Sequence, residues 1–297
     1  MIDPHPPRTR GLGIDHLTCD DAPMSRWPLA IGATLLALAM SAPAAASAPP
    51  PPPNAGFDYQ IGGDYPLPAG VSVVSRDWFS GRAAADPAYS VCYVNAFQTQ
   101  ANEPGTERPD ERSNWPRRLV LKRLGDDPHW GGEYLIDIGT AAKRRQASRW
   151  VAPMIAACAS RGFEAVEFDN LDSWTRFNGT PLAAEVPFGK REALAYARLL
   201  AKRAHALDLA VAQKNTAGIT KSEARRAGFD FAIAEECGRW RECNRYRRVY
   251  GDEVLAIEYR RRDFRRTCAS VGDRISVVLR DRRVSTPARS GYRYDAC

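Results

Sequence analysis

Short apolar runs alternate with amphipathic stretches along most of this chain. The runs that read as strands are Phe57–Ile61, Val71–Ser75, Ser90–Ala96, Tyr134–Ile138, Ala165–Asp169, Leu209–Lys214, Phe229–Ala234, Val254–Tyr259 and Ile275–Arg280. Between them, Ala141–Arg161 and Lys190–Leu207 carry Ala, Leu and Arg at helical spacing. Alternating β and α elements predict a parallel sheet with helical crossovers. Eight or nine such strands favour closure over an open sheet. The predicted class is therefore α/β, a (β/α)8 TIM-type barrel, with one end strand as an accessory. No glycine-rich loop follows the first strand, which removes the usual nucleotide-binding alternative.

Polar residues gather where these strands end. Asp77 follows the second, Asn95 ends the third and Asp137 the fourth. Asp169 and Asn170 close the fifth, Lys214 and Asn215 the sixth, Glu235 and Glu236 the seventh, Glu258 and Tyr259 the eighth. A single polar strand end means little. A succession of them in a barrel converges on one mouth, where active sites of this architecture lie.

The densest cluster is Glu167-Phe168-Asp169-Asn170-Leu171-Asp172. Strand side chains alternate, so Glu167 and Asp169 share one face while Val166 and Phe168 share the other. Carboxylates this close repel, and at least one should hold its proton more tightly, as general acid chemistry requires. The same parity places Glu258 at the mouth without difficulty. In Phe229–Glu236, it assigns Phe231 and Ile233 to the helix side. Strict alternation would then send Glu235 outward and Glu236 inward, unless a bulge after Ala234 re-aims the chain.

The N-terminus follows a different pattern. Met24-Ser25-Arg26 precedes an apolar run from Pro28 to about Met40, and small residues follow at Ala44–Ala48. This is the layout of a secretory signal peptide, too short to span a membrane. Residues 1–23 then read as an upstream start that is not used. Residues 49–55 read as a proline-rich linker, and 56–297 as one barrel domain. No stable membrane association is expected after cleavage, and a monomer is expected. Of seven cysteines, Cys19 precedes the signal, leaving an even six, as suits an exported protein with disulfides. Six allow 15 pairings. The short loop favours Cys237–Cys243, the last residue is best tied by Cys268–Cys297, and Cys92–Cys158 remains.

The chain carries a formal net charge of +7, and residues 1–48, with three Arg and four Asp, leave the rest at +8. Much of the excess is Arg260-Arg261-Arg262-Asp263-Phe264-Arg265-Arg266. No nucleic-acid motif accompanies it, so it reads as a solvated face and no nucleic-acid partner is expected.

Ordered motifs add a resemblance. They are Phe57-Asp58-Tyr59-Gln60, Cys92-Tyr93-Val94-Asn95, Arg108-Pro109-Asp110, Trp130-Gly131-Gly132-Glu133, Leu135-Ile136-Asp137, the Glu167–Asp172 cluster, Gln213-Lys214-Asn215, Glu235-Glu236-Cys237 with Cys243, and Glu258-Tyr259. Together they resemble the glycoside hydrolase family of endo-α-1,4-polygalactosaminidases, from about Phe57 to Cys297. The resemblance implies a barrel that cleaves α-1,4 linkages inside galactosamine-containing polysaccharide, with no metal or organic cofactor. It places the family's catalytic pair on Asp169 and Glu235. Two departures surround the second acid: Glu236 stands where the family often has an amide, and Ala234 where it often has Asn.

In such a mechanism one carboxylic acid protonates the leaving oxygen, and a second carboxylate attacks the anomeric carbon or activates water. Asp169 is expected as nucleophile or base and Glu235 as acid/base, with Glu236 the alternative that parity favours. Expected substrate contacts are Asp77, Tyr93, Asp137, Glu167, Asn170, Asp172, Lys214, Asn215, Glu236, Glu258 and Tyr259. Blander roles compete: Asp172 as a turn cap, Asp137 as a buried acid paired with Arg, Lys214 as an ion-pair partner. Trp130, Trp174 and Tyr259 either stack on sugars or fill core. Two other function classes stay open, a carbohydrate-binding barrel without catalysis and a metal-dependent barrel hydrolase using the acid cluster.

Overall fold

The computed structural model describes residues 48–79, 81–85, 88–100 and 115–297. The signal-like segment before Ala48 and the Arg108-Pro109-Asp110 motif lie outside these residues. Eight parallel strands run in chain order: β1 (Gly56–Gln60), β2 (Val71–Asp77), β3 (Tyr89–Asn95), β4 (Ala165–Asp169), β5 (Ala210–Lys214), β6 (Phe231–Glu235), β7 (Val254–Glu258) and β8 (Ser276–Arg280). A short β9 (Tyr294–Ala296) pairs antiparallel with β8. The result is a nearly closed TIM-type barrel.

Helices cover the later crossovers: α1 (Ala141–Ser160), α2 (Lys190–His205), α3 (Lys221–Ala227), α4 (Cys243–Tyr250) and α5 (Arg261–Val271). Among the described residues the β1–β2 and β2–β3 connections carry no helix. Local chemistry sets the helix ends. The Thr140 side chain accepts from Lys143 N at the start of α1. Thr220 and Glu223 form a reciprocal capping box on α3. That helix stops at Gly228, whose φ of 85° suits a residue without Cβ.

Two apolar layers flank the strands. Phe57, Tyr59, Val91, Tyr93, Phe231, Ile233, Leu255, Ile257 and Val278 fill the barrel interior. Val94, Val166, Phe168, Val211, Ala232, Ala234, Ala256 and Val277 pack outward with the helices. The expected parity of the seventh sequence run is therefore reversed: Phe231 and Ile233 point inward, and Glu235 with them. A barrel interior is itself a packed core, so bulky apolar residues do not mark the helix side.

Tyr134–Ile138 is not a barrel strand. Among the described residues its strand pairing consists of isolated antiparallel bridges, Leu135 to Gln98 and Ile136 to Val120, within the long β3–α1 connection. The accessory strand is β9, which the apolar pattern does not reveal. The proline-rich stretch lies against the barrel: Pro51 is buried, Ala48 N donates to Asp208 O, and Tyr89 Oη donates to Pro49 O. The cysteines pair as Cys92–Cys158, Cys237–Cys243 and Cys268–Cys297. Among the described residues no helix is long and apolar enough to cross a membrane.

The barrel's seam is held by side chains. β1 and β8 lie side by side without a strand ladder. Arg280, fully buried, pairs with buried Asp58 at 2.7 Å and donates to the Tyr59, Ser285 and Arg293 carbonyls. Removing one partner of a buried pair leaves an uncompensated charge and costs about 3–5 kcal/mol. Arg280→Ala is expected to lose about that much in urea unfolding. Arg280→Met combined with Asp58→Asn should recover much of the loss. An Arg280→Ala protein as stable as wild type would show that the seam does not depend on this pair.

Candidate active site

The interior parity of β4, β5 and β6 brings Glu167, Asp169, Lys214 and Glu235 to one end of the barrel. Lys214 is at the centre, with 1 % of its side chain exposed. Its Nζ lies 2.6 Å from Glu167 Oε1, 3.0 Å from Asp169 Oδ1, 3.7 Å from Glu235 Oε2 and 3.0 Å from Tyr59 Oη. Burial alone would discharge this amine. Asp169, Glu167 and Glu235 overcome that and hold its pKa well above the ordinary lysine value. The acids therefore converge on a fixed ammonium.

The acids differ in environment. Burial works against ionising Asp169, yet the Lys214 ammonium, the Tyr93 hydroxyl at 2.7 Å and the Asn170 amide at 2.7 Å outweigh it, leaving its carboxyl below the usual range. Glu167 lies deeper. Burial pushes it up to about 7, against the pull of Lys214. Burial also keeps the Tyr59 and Tyr93 phenols protonated, so both act as donors.

Glu235 is gripped by its neighbours. Asn215 Nδ2 donates to Glu235 Oε2 at 2.9 Å, and Asn215 Oδ1 accepts from Glu235 N at 2.9 Å. Tyr259 Oη donates to Glu235 Oε1. The chain turns sharply after each of these strands. Asn170, Asn215 and Glu236 have φ of 63°, 53° and 54°. Asn tolerates the left-handed region, whereas Glu does so at a cost, and such strain gathers at functional sites. The turn at Glu236 sends its side chain to Arg239 at 2.8 Å, beside the cleft and not into its floor.

Asp169 and Glu235 line a cleft of about 210 Å³ with Tyr59, Tyr93, Glu133, Asn170, Arg176 and Tyr259. Glu235, Trp130, Arg176, Tyr259 and Arg282 also line an adjoining groove of about 590 Å³ that runs past Trp240. Two carboxylates of unlike environment across one cleft can perform glycosyl transfer to water. The sequence profile of the glycoside-hydrolase family GH114 matches residues 38–297. The chain belongs to family GH114, and it is a glycoside hydrolase.

Solved structures agree on the fold. Ega3 of Aspergillus fumigatus, crystallised with galactosamine, is similar at 17 % identity and a TM-score of 0.65, over 83 % of this chain and 96 % of that one. A variant of the PelA glycoside hydrolase domain of Pseudomonas aeruginosa is similar at 11 % identity and a TM-score of 0.53, over 80 % and 99 %. No curated protein matches the chain in sequence.

The other residues expected at this GH114 mouth divide by position. Tyr93, Asn170 and Tyr259 line the cleft with the two acids. Asn215, Asp172 and Glu236 line the adjoining groove, where Asp172 pairs with Arg176 at 3.0 Å. Glu167 and Lys214 lie beneath the floor. Asp77 stands behind Gln100, accepting its amide at 3.0 Å. Asp137 turns away to Lys143. Glu258 also turns away, because Leu255 and Ile257 occupy the interior positions of β7. Its Oε1 accepts from Gly238 N and Thr267 Oγ1 beneath the loop that follows β6. That loop has no room for a side chain at Gly238, where a Cβ would stand 1.6 Å from Thr267 Oγ1. Cys237, Cys243 and Glu258 come together there as metal-type donors, but the two sulfurs are joined in the disulfide.

Glu133, Gln100 and Arg176 were missed as site residues, and Asn95 was seen as a strand-end polar group but not as a site contact. Glu133 and Arg176 lie in loops, out of reach of a strand-end rule. The only signal for Glu133 was the Trp130-Gly131-Gly132-Glu133 motif.

Burial pushes Glu258 from 4.5 up to about 7, and among the described residues its Oε2 has no hydrogen-bond partner. An acid raised on folding is protonated in the folded state while the unfolded chain has already ionised. Stability therefore falls as pH rises from about 4.5 to about 7, then levels. Glu258→Gln keeps an acceptor for Gly238 and lacks this loss. Its thermal stability relative to wild type should rise across that window. A pH-independent difference would show that Glu258 does not titrate there.

Proposed function

We propose that the protein is an exported, endo-acting hydrolase of α-1,4-linked galactosamine-containing polysaccharide. Asp169 acts as nucleophile and Glu235 as general acid/base. The observation that carries this reading is the pair of carboxylates gripped around one buried ammonium at the meeting of two grooves. The ionised Asp169 suits attack on the anomeric carbon. Glu235 borders both grooves, where it would reach the oxygen linking two sugars. Adjoining grooves suit a chain that passes through the site, as internal cleavage requires. Exposed Trp130 and Trp240 offer faces for sugar rings.

The substrate class rests on the family resemblance and on the galactosamine bound by Ega3. Three disulfides support export to an oxidising compartment. Lys214 Nζ is 3.0 Å from an oxygen of Asp169 and 3.7 Å from one of Glu235, so these two oxygens are at most about 6.7 Å apart. Retaining pairs lie about 5–5.5 Å apart and inverting pairs about 6.5–9.5 Å. That limit admits a pair at the retaining distance, and the ionised Asp169 suits direct attack with retention.

Residues 49–297 should release oligomers from purified α-1,4-galactosamine polymer, with the α anomer formed first by NMR. Asp169→Asn and Glu235→Gln should each lower kcat about a hundred- to ten-thousandfold. Binding without cleavage would favour the carbohydrate-binding alternative. Activity retained in Glu235→Gln would remove that residue from the acid role.

A further inference from the structure

Glu133 enters the cleft from the long β3–α1 connection and has no part in the mechanism above. Its Oε2 accepts from Asn95 Nδ2 at 3.1 Å and from Asn170 Nδ2 at 3.4 Å. Both amides are themselves fixed, since Asn170 Nδ2 also donates to Asn95 Oδ1 and Arg176 Nη2 donates to Asn170 Oδ1. One carboxyl oxygen is thus pinned, while Oε1 accepts no hydrogen bond among the described residues and the side chain borders the cleft. Asn95, its anchor, stands opposite Asp169 in the β3–β4 register. A sugar placed for attack by Asp169 has its anomeric carbon over that residue. With the ring turned so that C-2 faces β3, the substituent on that adjacent carbon would meet the carboxyl anchored on Asn95. In a galactosamine residue that substituent is an amine.

We propose that Glu133 recognises the C-2 ammonium of the galactosamine residue bound beside Asp169, and so sets the preference for free amine over acetamide. This inference rests on the substrate class proposed above. The charged and titratable groups facing Glu133 are Asp169, Asp127, Arg176 and Tyr93. Burial, then Asp169, push its carboxyl up to about 8, so in the empty cleft it holds its proton at neutral pH. An arriving ammonium makes the ionised form the better partner. The carboxyl proton then leaves to solvent, and a carboxylate–ammonium pair remains. An acetamide carries no charge to drive that release.

The test compares wild type, Glu133→Gln and Glu133→Asp. The first readout is the ratio of kcat/KM on deacetylated against fully acetylated α-1,4 polymer. The second is calorimetric titration with galactosamine and with N-acetylgalactosamine at about pH 6.5, in buffers of different ionisation enthalpy, below the carboxyl value of about 8. Loss of a charge-assisted pair should lower the ratio roughly ten- to a hundredfold in Glu133→Gln, with Glu133→Asp intermediate. Wild type should release a proton on binding galactosamine but not N-acetylgalactosamine, and Glu133→Gln should release none. An unchanged ratio, or proton release that persists in Glu133→Gln, overturns the assignment. Should Glu133→Gln not fold, Glu133→Asp decides by the same two readouts. A wild type that binds galactosamine with proton release yet cleaves neither polymer would sink the catalytic reading and leave this one standing. A wild type that does not bind galactosamine overturns this one.

Discussion

Everything at the mouth of this barrel depends on one buried ammonium. Glu167, Asp169 and Glu235 could not be held together in a closed space without a cation, since like charges at this range force protons onto one another. Lys214 could not remain charged beneath the floor without them, since a desolvated ammonium costs several kcal/mol. Each side of the arrangement makes the other possible. The three acids are then separated by what else they touch. Asp169 gains two further donors and stays ionised. Glu167 has an oxygen with no hydrogen-bond partner among the described residues and holds its proton to about 7. Glu235 is fixed by Asn215 and Tyr259 at the border of two grooves. Unlike environments for like groups are what an acid/base reaction needs.

The barrel supplies the register for this chemistry. Parallel pairing sets Asn95 beside Asp169, and the interior alternation of β4, β5 and β6 aims their last side chains at one point. Positive φ at Asn170, Asn215 and Glu236 ends each strand abruptly, so the groups that follow turn aside to brace the site. At the far seam, Arg280 does with four acceptors what a strand ladder does elsewhere.

Much of this was legible in the sequence, for identifiable reasons. Strands buried on both faces read as apolar runs, so eight barrel strands were visible. Strand-end acids, Lys214 and the asparagines Asn95, Asn170 and Asn215 were visible because the architecture gathers strand ends. The count of nine strands matched only because two errors cancelled. Tyr134–Ile138 has a strand's composition but no ladder, and Tyr294–Ala296 has a ladder but only three residues. The parity of Phe231 and Ile233 was misjudged because a barrel has a core on each side of its sheet. The same misjudgement drew Glu258 to the mouth and cast suspicion on Glu235. Glu133 and Arg176 were beyond the rule altogether, since a loop's path to the cleft leaves no period in the sequence.

The most direct test of the central claim is the pH dependence of kcat/KM for wild type and for Lys214→Met, on α-1,4-galactosamine polymer, with folding checked by circular dichroism. If the ammonium keeps Asp169 ionised, the acidic limb of the profile moves to higher pH by roughly one unit or more when it is removed. An acidic limb that stays in place in a folded Lys214→Met protein would contradict the account.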